Sequence, residues 1–348
     1  MTTNSISVVR QHASMYVGSL DARGLFDMFK HAFFYLATFR LCGESLCLSV
    51  TTHEDGSISI TANDWITATD GRAASLIDDL AASSTATGKA RDYQAGASLG
   101  SLVAVNYLSD RFEFTVNTEE KKRTLRWSRG VEEPVRDLTN RNENEGIVLH
   151  WHPDPEIFGE ASLDSGYIRR FLQSTGPLLR GTTIRYNDLN DRGEAEVYRF
   201  DQGVVHLAEH YNSNFSPVPD PIYFICPISD QEGYPGEIEF AAQFRLEPGE
   251  TIISACNLHY TRNGGSHATG FLAGFSSAMK DTIYGEVRDP RLDGPGYTAI
   301  IAARLRRPQF EGCTRSWLQQ PEIEEQVANT TKQAIADYIA SSKMTFWW

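Results

Sequence analysis

Residues 254–270 read SACNLHYTRNGGSHATG, and residues 308–318 read PQFEGCTRSWL. The first stretch opens inside Thr251–Leu258, a short apolar run that predicts a strand. It crosses a polar segment with a Gly264-Gly265 pair and enters His267–Met279, whose length and apolar character predict a helix. Upstream, Ile222–Ile228 and Glu237–Phe244 read as strands; downstream, Thr298–Leu305 reads as a strand and Glu322–Ser341 as a long helix.

The first half follows the same mixed pattern. Leu25–Leu41 is apolar, free of Gly and Pro, and long enough to predict a buried helix. Leu46–Thr52 and Ser57–Ala62 alternate around Glu54-Asp55-Gly56, which predicts a β-hairpin. Ala74–Ser83 reads as helix, residues 89–100 as a Gly/Ala/Ser loop, and Ser101–Leu108 as helix. Strands are expected at Phe112–Val116, Thr124–Ser128, Ile147–His152 and Thr182–Tyr186, and helices at Tyr167–Leu179 and Gly203–Tyr211. Residues 212–221 carry three prolines among Asn and Ser and form the expected linker. The expectation is an α+β chain of two domains, 1–215 and 216–348.

The chain has 348 residues, 41% hydrophobic and 22% charged, which fits a globular protein with ample core and excludes a disordered tail. Its net charge of −13, from 32 Lys+Arg against 45 Asp+Glu, opposes non-specific binding to nucleic-acid phosphates or anionic lipid. No apolar run approaches the roughly 20 residues that span a bilayer. The N-terminus lacks the basic-then-apolar pattern of a secretory signal. Cys42, Cys47, Cys226, Cys256 and Cys313 form no CxxC pair and leave an odd count, so reduced thiols in a cytoplasm are expected.

Several segments, in order, resemble the N-terminal ATPase region of DNA gyrase B and its type IIA topoisomerase relatives. Met15-Tyr16-Val17-Gly18-Ser19 with Gly24-Leu25 is similar to the family's MYIGS…GLH opening. Asn106-Tyr107-Leu108-Ser109 resembles VNALS, and His152-Pro153-Asp154 with Ile157-Phe158 resembles the PD..IF segment. The stretches quoted first resemble SFVNNINTxEGGTHxxG and PQFEGQTKTKL. The resemblance implies a Bergerat-type (GHKL) α/β sandwich followed by a transducer domain with a ribosomal-S5-like fold.

The same resemblance implies that the nucleotide machinery is gone. The family's first helix carries a water-activating glutamate and, four residues later, a Mg²⁺-binding asparagine; those places hold His31 and Tyr35. The adenine-binding aspartate falls at Ala62, and a threonine that also reads adenine falls at Ile147. The DGRGIP turn has become Asp64-Trp65-Ile66-Thr67-Ala68, and the glycine-rich lid has become Ala95-Gly96-Ala97-Ser98-Leu99-Gly100-Ser101. A transducer glutamine and phosphate-binding lysine appear as Cys313 and Arg315. Mg²⁺ then loses an oxygen ligand, adenine its polar partners, and the phosphates their row of amides. No ATP hydrolysis and no bound cofactor are expected.

The replacements run towards large and apolar groups. A cleft lined by Phe34, Ala62, Trp65, Ile66, Ile147, Cys313 and Arg315 suits an apolar or aromatic small molecule. Within it, His31 is the candidate general base, Tyr35 one turn on a hydrogen-bond donor, and Asp27 one turn earlier the residue that orients the imidazole. That reading is a proton-transfer, isomerisation or cyclisation step. The alternative is a non-catalytic gyrase-like interaction, resistance or decoy protein, with a homodimer or a gyrase component as its contact. The family's exchange arm is nearly absent, because MYVGS begins at residue 15, and no DNA-cleavage part is expected. His150 and His152 share one side of a strand without a third ligand, and His206 and His210 with Glu209 run in the order HxxEH on what the resemblance makes an exposed linker helix, so no metal site is expected.

Overall fold

The computed structural model describes residues 3–37, 47–63, 99–117, 122–134, 146–191, 193–217, 221–229, 233, 235–280, 296–305, 307–312 and 314–341. The chain divides into two compact units, Met1–Phe200 and Asp201–Trp348. The architecture is α+β in both. The division falls ahead of the proline-rich stretch 212–221 rather than within it. The reason is the helix Val204–Asn212, which packs on strands of the second unit; its buried Asn212 amide donates to the Gln243 side chain at 2.9 Å.

In the first unit, helices α1 (Thr3–Gln11), α2 (Ser14–Val17) and α3 (Ala22–Ala37) precede a hairpin of β1 (Cys47–Thr52) and β2 (Ile58–Asn63). Helix α4 (Leu99–Tyr107), β3 (Ser109–Asn117), β4 (Lys122–Ser128), β5 (Val131–Glu133) and β6 (Gly146–Pro153) follow. Then come α5 (Pro155–Phe158), α6 (Ser165–Thr175), β7 (Thr183–Asp188) and β8 (Glu196–Arg199). The strands form one sheet in the order β5-β4-β3-β6-β2-β1-β7-β8. Only β1 and β7 run parallel among these pairs.

Period-two burial decides which face each strand turns inward. Leu48 and Val50 on β1, Ile58, Ile60 and Ala62 on β2, and Ile147, Leu149 and Trp151 on β6 are all buried, while their neighbours are half exposed. Helix α3 supplies a matching stripe. Leu25, Met28, Phe29, Ala32, Phe33 and Leu36 recur at helical spacing and are buried. Its first turn is fixed by Asp21, whose carboxylate accepts from the Arg23 amide at 2.9 Å. Gly24 is required there, because a Cβ would lie 1.8 Å from the Ser19 carbonyl oxygen. One ring of α6, Phe171, meets Phe26, Phe29, Phe33 and Phe34 with centroids 5.2–5.7 Å away.

The second unit holds α7 (Val204–Asn212), β9 (Ile222–Ser229), β10 (Pro235–Arg245), β11 (Glu250–Cys256), β12 (His259–Tyr260) and β13 (Gly264–Gly265). Helix α8 (Ser266–Met279), β14 (Gly296–Arg304), β15 (Trp317–Leu318) and α9 (Glu324–Ser341) complete it. Five strands form a sheet in the order β12-β11-β14-β10-β9, with β11 and β14 parallel across the helix between them. Strand β10 turns Ile238, Phe240, Ala242 and Phe244 into the core shared with α8 and α9. Its other side carries buried Glu239, Gln243 and Arg245, where α7 lies. Helices α8 and α9 approach through Gly270 and Gly274. A Cβ on either would stand 2.5 Å and 2.2 Å from the carbonyl oxygens of Glu324 and Ala328.

Candidate functional site

The sheet of the first unit brings two of the expected ligand-lining positions together. Ala62 on β2 and Ile147 on β6 are directly paired across antiparallel strands, so their side chains share one face. Leu48 extends the row on β1 and Val116 on β3, and all four are at most 3% exposed. The row is a continuous apolar strip. It offers no hydrogen-bonding side chain to a base or a sugar, because every member is Leu, Ala, Ile or Val.

Helix α3 lies over this sheet and spreads its residues to different sides. Tyr35 is buried and its ring stands 6.5 Å from Phe114 of β3, edge-on. Phe34 turns instead to Phe171 of α6, with centroids 5.5 Å apart. His31 is half-buried, and its Nε2 lies 3.3 Å from the Tyr16 carbonyl oxygen. A carbonyl only accepts, so this contact holds the imidazole in the Nε2–H form. Asp27, expected to orient that imidazole, forms an ion pair with Lys30 three residues on.

Arg315 belongs to the second unit. Its guanidinium donates to Nε2 of His259 at 2.7 Å and rests over the Phe310 ring at 5.9 Å. Burial lowers its pKa from the ordinary arginine range. Trp65, Ile66 and Cys313 lie outside the described residues.

Two buried carboxylates and the partners of His150 and His152 escaped the sequence reading. Asp154, whose side chain is wholly buried, accepts from Arg10 at 2.6 Å and faces Arg129 at 3.0 Å. Its Oδ1 also caps α5 through the Glu156 amide at 2.9 Å. The proline-aspartate pair at the end of β6 was the available signal. Glu239, equally buried, is paired with Arg304, which also reaches Glu237 at 2.6 Å. On the first unit's sheet, His53 joins His150, ring centroids 5.3 Å apart, and burial lowers the His150 pKa. His152 Nε2 meets the Asp55 carbonyl at 2.9 Å. Among the described residues no group of three His, Cys, Asp or Glu is arranged to hold a metal ion, and no helix is long and apolar enough to cross a membrane.

These features define a unit of one eight-stranded sheet covered by helices, and a second α+β unit built on a five-stranded sheet. Known proteins place that fold. The family profile for DNA gyrase B matches residues 203–346. The DNA gyrase B protein of Thermotoga maritima is 26% identical over 94% of this chain and 54% of its own length. That of Haloferax volcanii is 28% identical over 98% and 56%. The chain thus spans about half the length of the curated relatives it matches.

Among solved structures, the gyrase B protein of Myxococcus xanthus superimposes with a TM-score of 0.77 at 21% identity, covering 97% of this chain and 96% of that one. The 43K ATPase domain of Thermus thermophilus gyrase B, in complex with an aminocoumarin, gives 0.78 at 24% identity, covering 97% and 91%. The second unit carries the DNA gyrase B family profile, and the whole chain is similar to gyrase B proteins in sequence and in fold.

Proposed function

We propose that this gyrase-B-like chain neither binds nor hydrolyses ATP and serves as a non-catalytic gyrase-type component that acts through contacts with a protein partner. The Ala62–Ile147 pair carries the reading. The resemblance puts an adenine-reading aspartate and threonine at these two places, and two wholly buried hydrocarbon side chains stand there instead. On α3, His31 and Tyr35 occupy the places where the resemblance requires a water-activating carboxylate and a Mg²⁺ ligand. A phenol buried against Phe114 is a poor ligand for so hard an ion. The partner is a second copy of this chain or a gyrase component, as the name of its relatives suggests.

Isothermal titration calorimetry with Mg-ATP, together with phosphate release, tests this directly. No heat of binding up to about 1 mM nucleotide, a ceiling near −4 kcal/mol of affinity, is expected. Turnover, or binding tighter than that, overturns the reading.

A second reading is favoured by the strip Leu48–Ala62–Ile147–Val116, which suits an apolar or aromatic small molecule. Its chemistry, a proton transfer or isomerisation, would fall to His31 with Tyr35 as donor. In that case His31→Ala and Tyr35→Phe change ligand affinity or turnover. Unchanged values in both variants sink the catalytic role and leave binding alone.

A further inference from the structure

One edge of the second unit's sheet is only partly covered. Strand β12 pairs with β11 at Ala255 and Cys256, and on the side away from β14 no described strand is hydrogen-bonded to Glu250–Ile253, although β13 lies close by. The direction of the free groups follows from one bond. The Ser254 carbonyl accepts from the Thr261 amide at 2.9 Å, so it points outward, away from β14. Backbone groups alternate from side to side along a strand, so Ile252 and Glu250 present theirs to the same open edge. Among the described residues no backbone bond occupies those of Ile252 on that side.

A groove of about 510 Å³ runs along this edge, between β11, the turn after β12 and the first half of α8. Ile252, Ala268, Leu272 and Trp317 give it an apolar floor. Arg262 stands at its rim, exposed and without an ion pair among the described residues. In a chain of net charge −13, an unpaired guanidinium beside an apolar slot selects a carboxylate.

An open strand edge requires donors and acceptors at the spacing of another backbone, which a compact small molecule does not supply. We propose that β11 receives an extended segment of another polypeptide as an added strand. An apolar side chain of that segment seats against Ile252, Leu272 and Trp317, and a carboxylate meets Arg262. The inference concerns the second unit alone and holds whatever the first unit binds.

The test uses the full chain and fluorescein-labelled heptapeptides that alternate Thr with Val, Leu or Phe and carry one Asp. Fluorescence polarisation is expected to show saturable binding below about 1 mM, the range of weak β-addition. Hydrogen exchange at the Ile252 amide should slow by about tenfold when peptide is bound. Arg262→Glu, a change on an exposed side chain, should weaken binding by about tenfold, and N-methylation of alternate peptide amides should abolish it. Equal binding of the methylated peptide, an unaffected Arg262→Glu variant, or no protection at β11 overturns the proposal. So does tight groove binding of anilinonaphthalene sulfonate that no peptide displaces, which would mark a small-molecule pocket instead.

Discussion

Arg10 and Asp154 are 144 residues apart in the chain and 2.6 Å apart in space. The guanidinium also donates to the Tyr107 carbonyl at 3.0 Å, so one side chain of α1 ties the end of α4 to the end of β6. Arg129 approaches the same carboxylate from the β4–β5 turn at 3.0 Å.

Asp154→Ala should therefore cost more than Arg10→Ala. Removing the carboxylate leaves two cations in place and uncaps α5, for about 2–4 kcal/mol. Removing Arg10 leaves Arg129 to balance Asp154, for about 1–2 kcal/mol. Urea unfolding of the first unit reads both, and the reverse order would show that Arg129 does not balance Asp154 once Arg10 is gone.

Ala62→Asp separates a filled cleft from a wet one. If hydrocarbon surrounds the wholly buried Ala62, the new carboxyl stays unpaired and stability falls by roughly 1–3 kcal/mol without gain of nucleotide binding. An unchanged unfolding midpoint would mean that water reaches the strip, which favours the small-molecule reading.

Gly274→Ala should damage the second unit alone. The added methyl meets the Ala328 backbone oxygen 2.2 Å away, and neither helix has a flexible side chain there to yield. The expected loss is about 2–3 kcal/mol, read as an earlier transition in thermal unfolding.

The second unit should also weaken in mild acid. His267 is wholly buried, bonds Thr261 Oγ1 through Nε2 at 3.2 Å, and has no partner at Nδ1 among the described residues. Burial lowers its pKa from 6.5 to about 3. Above pH 6.5 both folded and unfolded states hold it neutral, so it has no effect. Between 6.5 and 3 only the unfolded state takes the proton, and stability falls by up to about 1.4 kcal/mol per pH unit. His267→Asn should flatten that part of the profile; an unaltered slope would assign it to other groups.

Much of the fold was legible from periodicity. The β1–β2 hairpin, α3, α8, β14 and α9 lie within about four residues of their expected bounds, because alternation and helical spacing are local signals. The short β5 and β8, by contrast, carry too few residues to show a period. Partner choice was harder still. Asp27 has Lys30 and His31 both within a turn, and spacing alone does not announce its ion pair with Lys30. Arg315 finds His259 across 56 residues, a contact no local pattern announces. The expected helix 74–83 and loop 89–100 fall wholly or largely outside the described residues.

The strand order of the first unit also sets a timetable for its birth. The β1–β2 hairpin is made early but sits in the middle of the sheet, flanked by β6 and β7. Those neighbours end at Pro153 and Asp188, so the hairpin emerges from the ribosome with both edges bare. At roughly 5–20 residues per second, the edge that β7 covers stays bare for about 6–25 seconds. Over that interval the nascent hairpin is a target for chaperones or for wrong strands, and synonymous changes that slow translation between residues 64 and 188 would lengthen it.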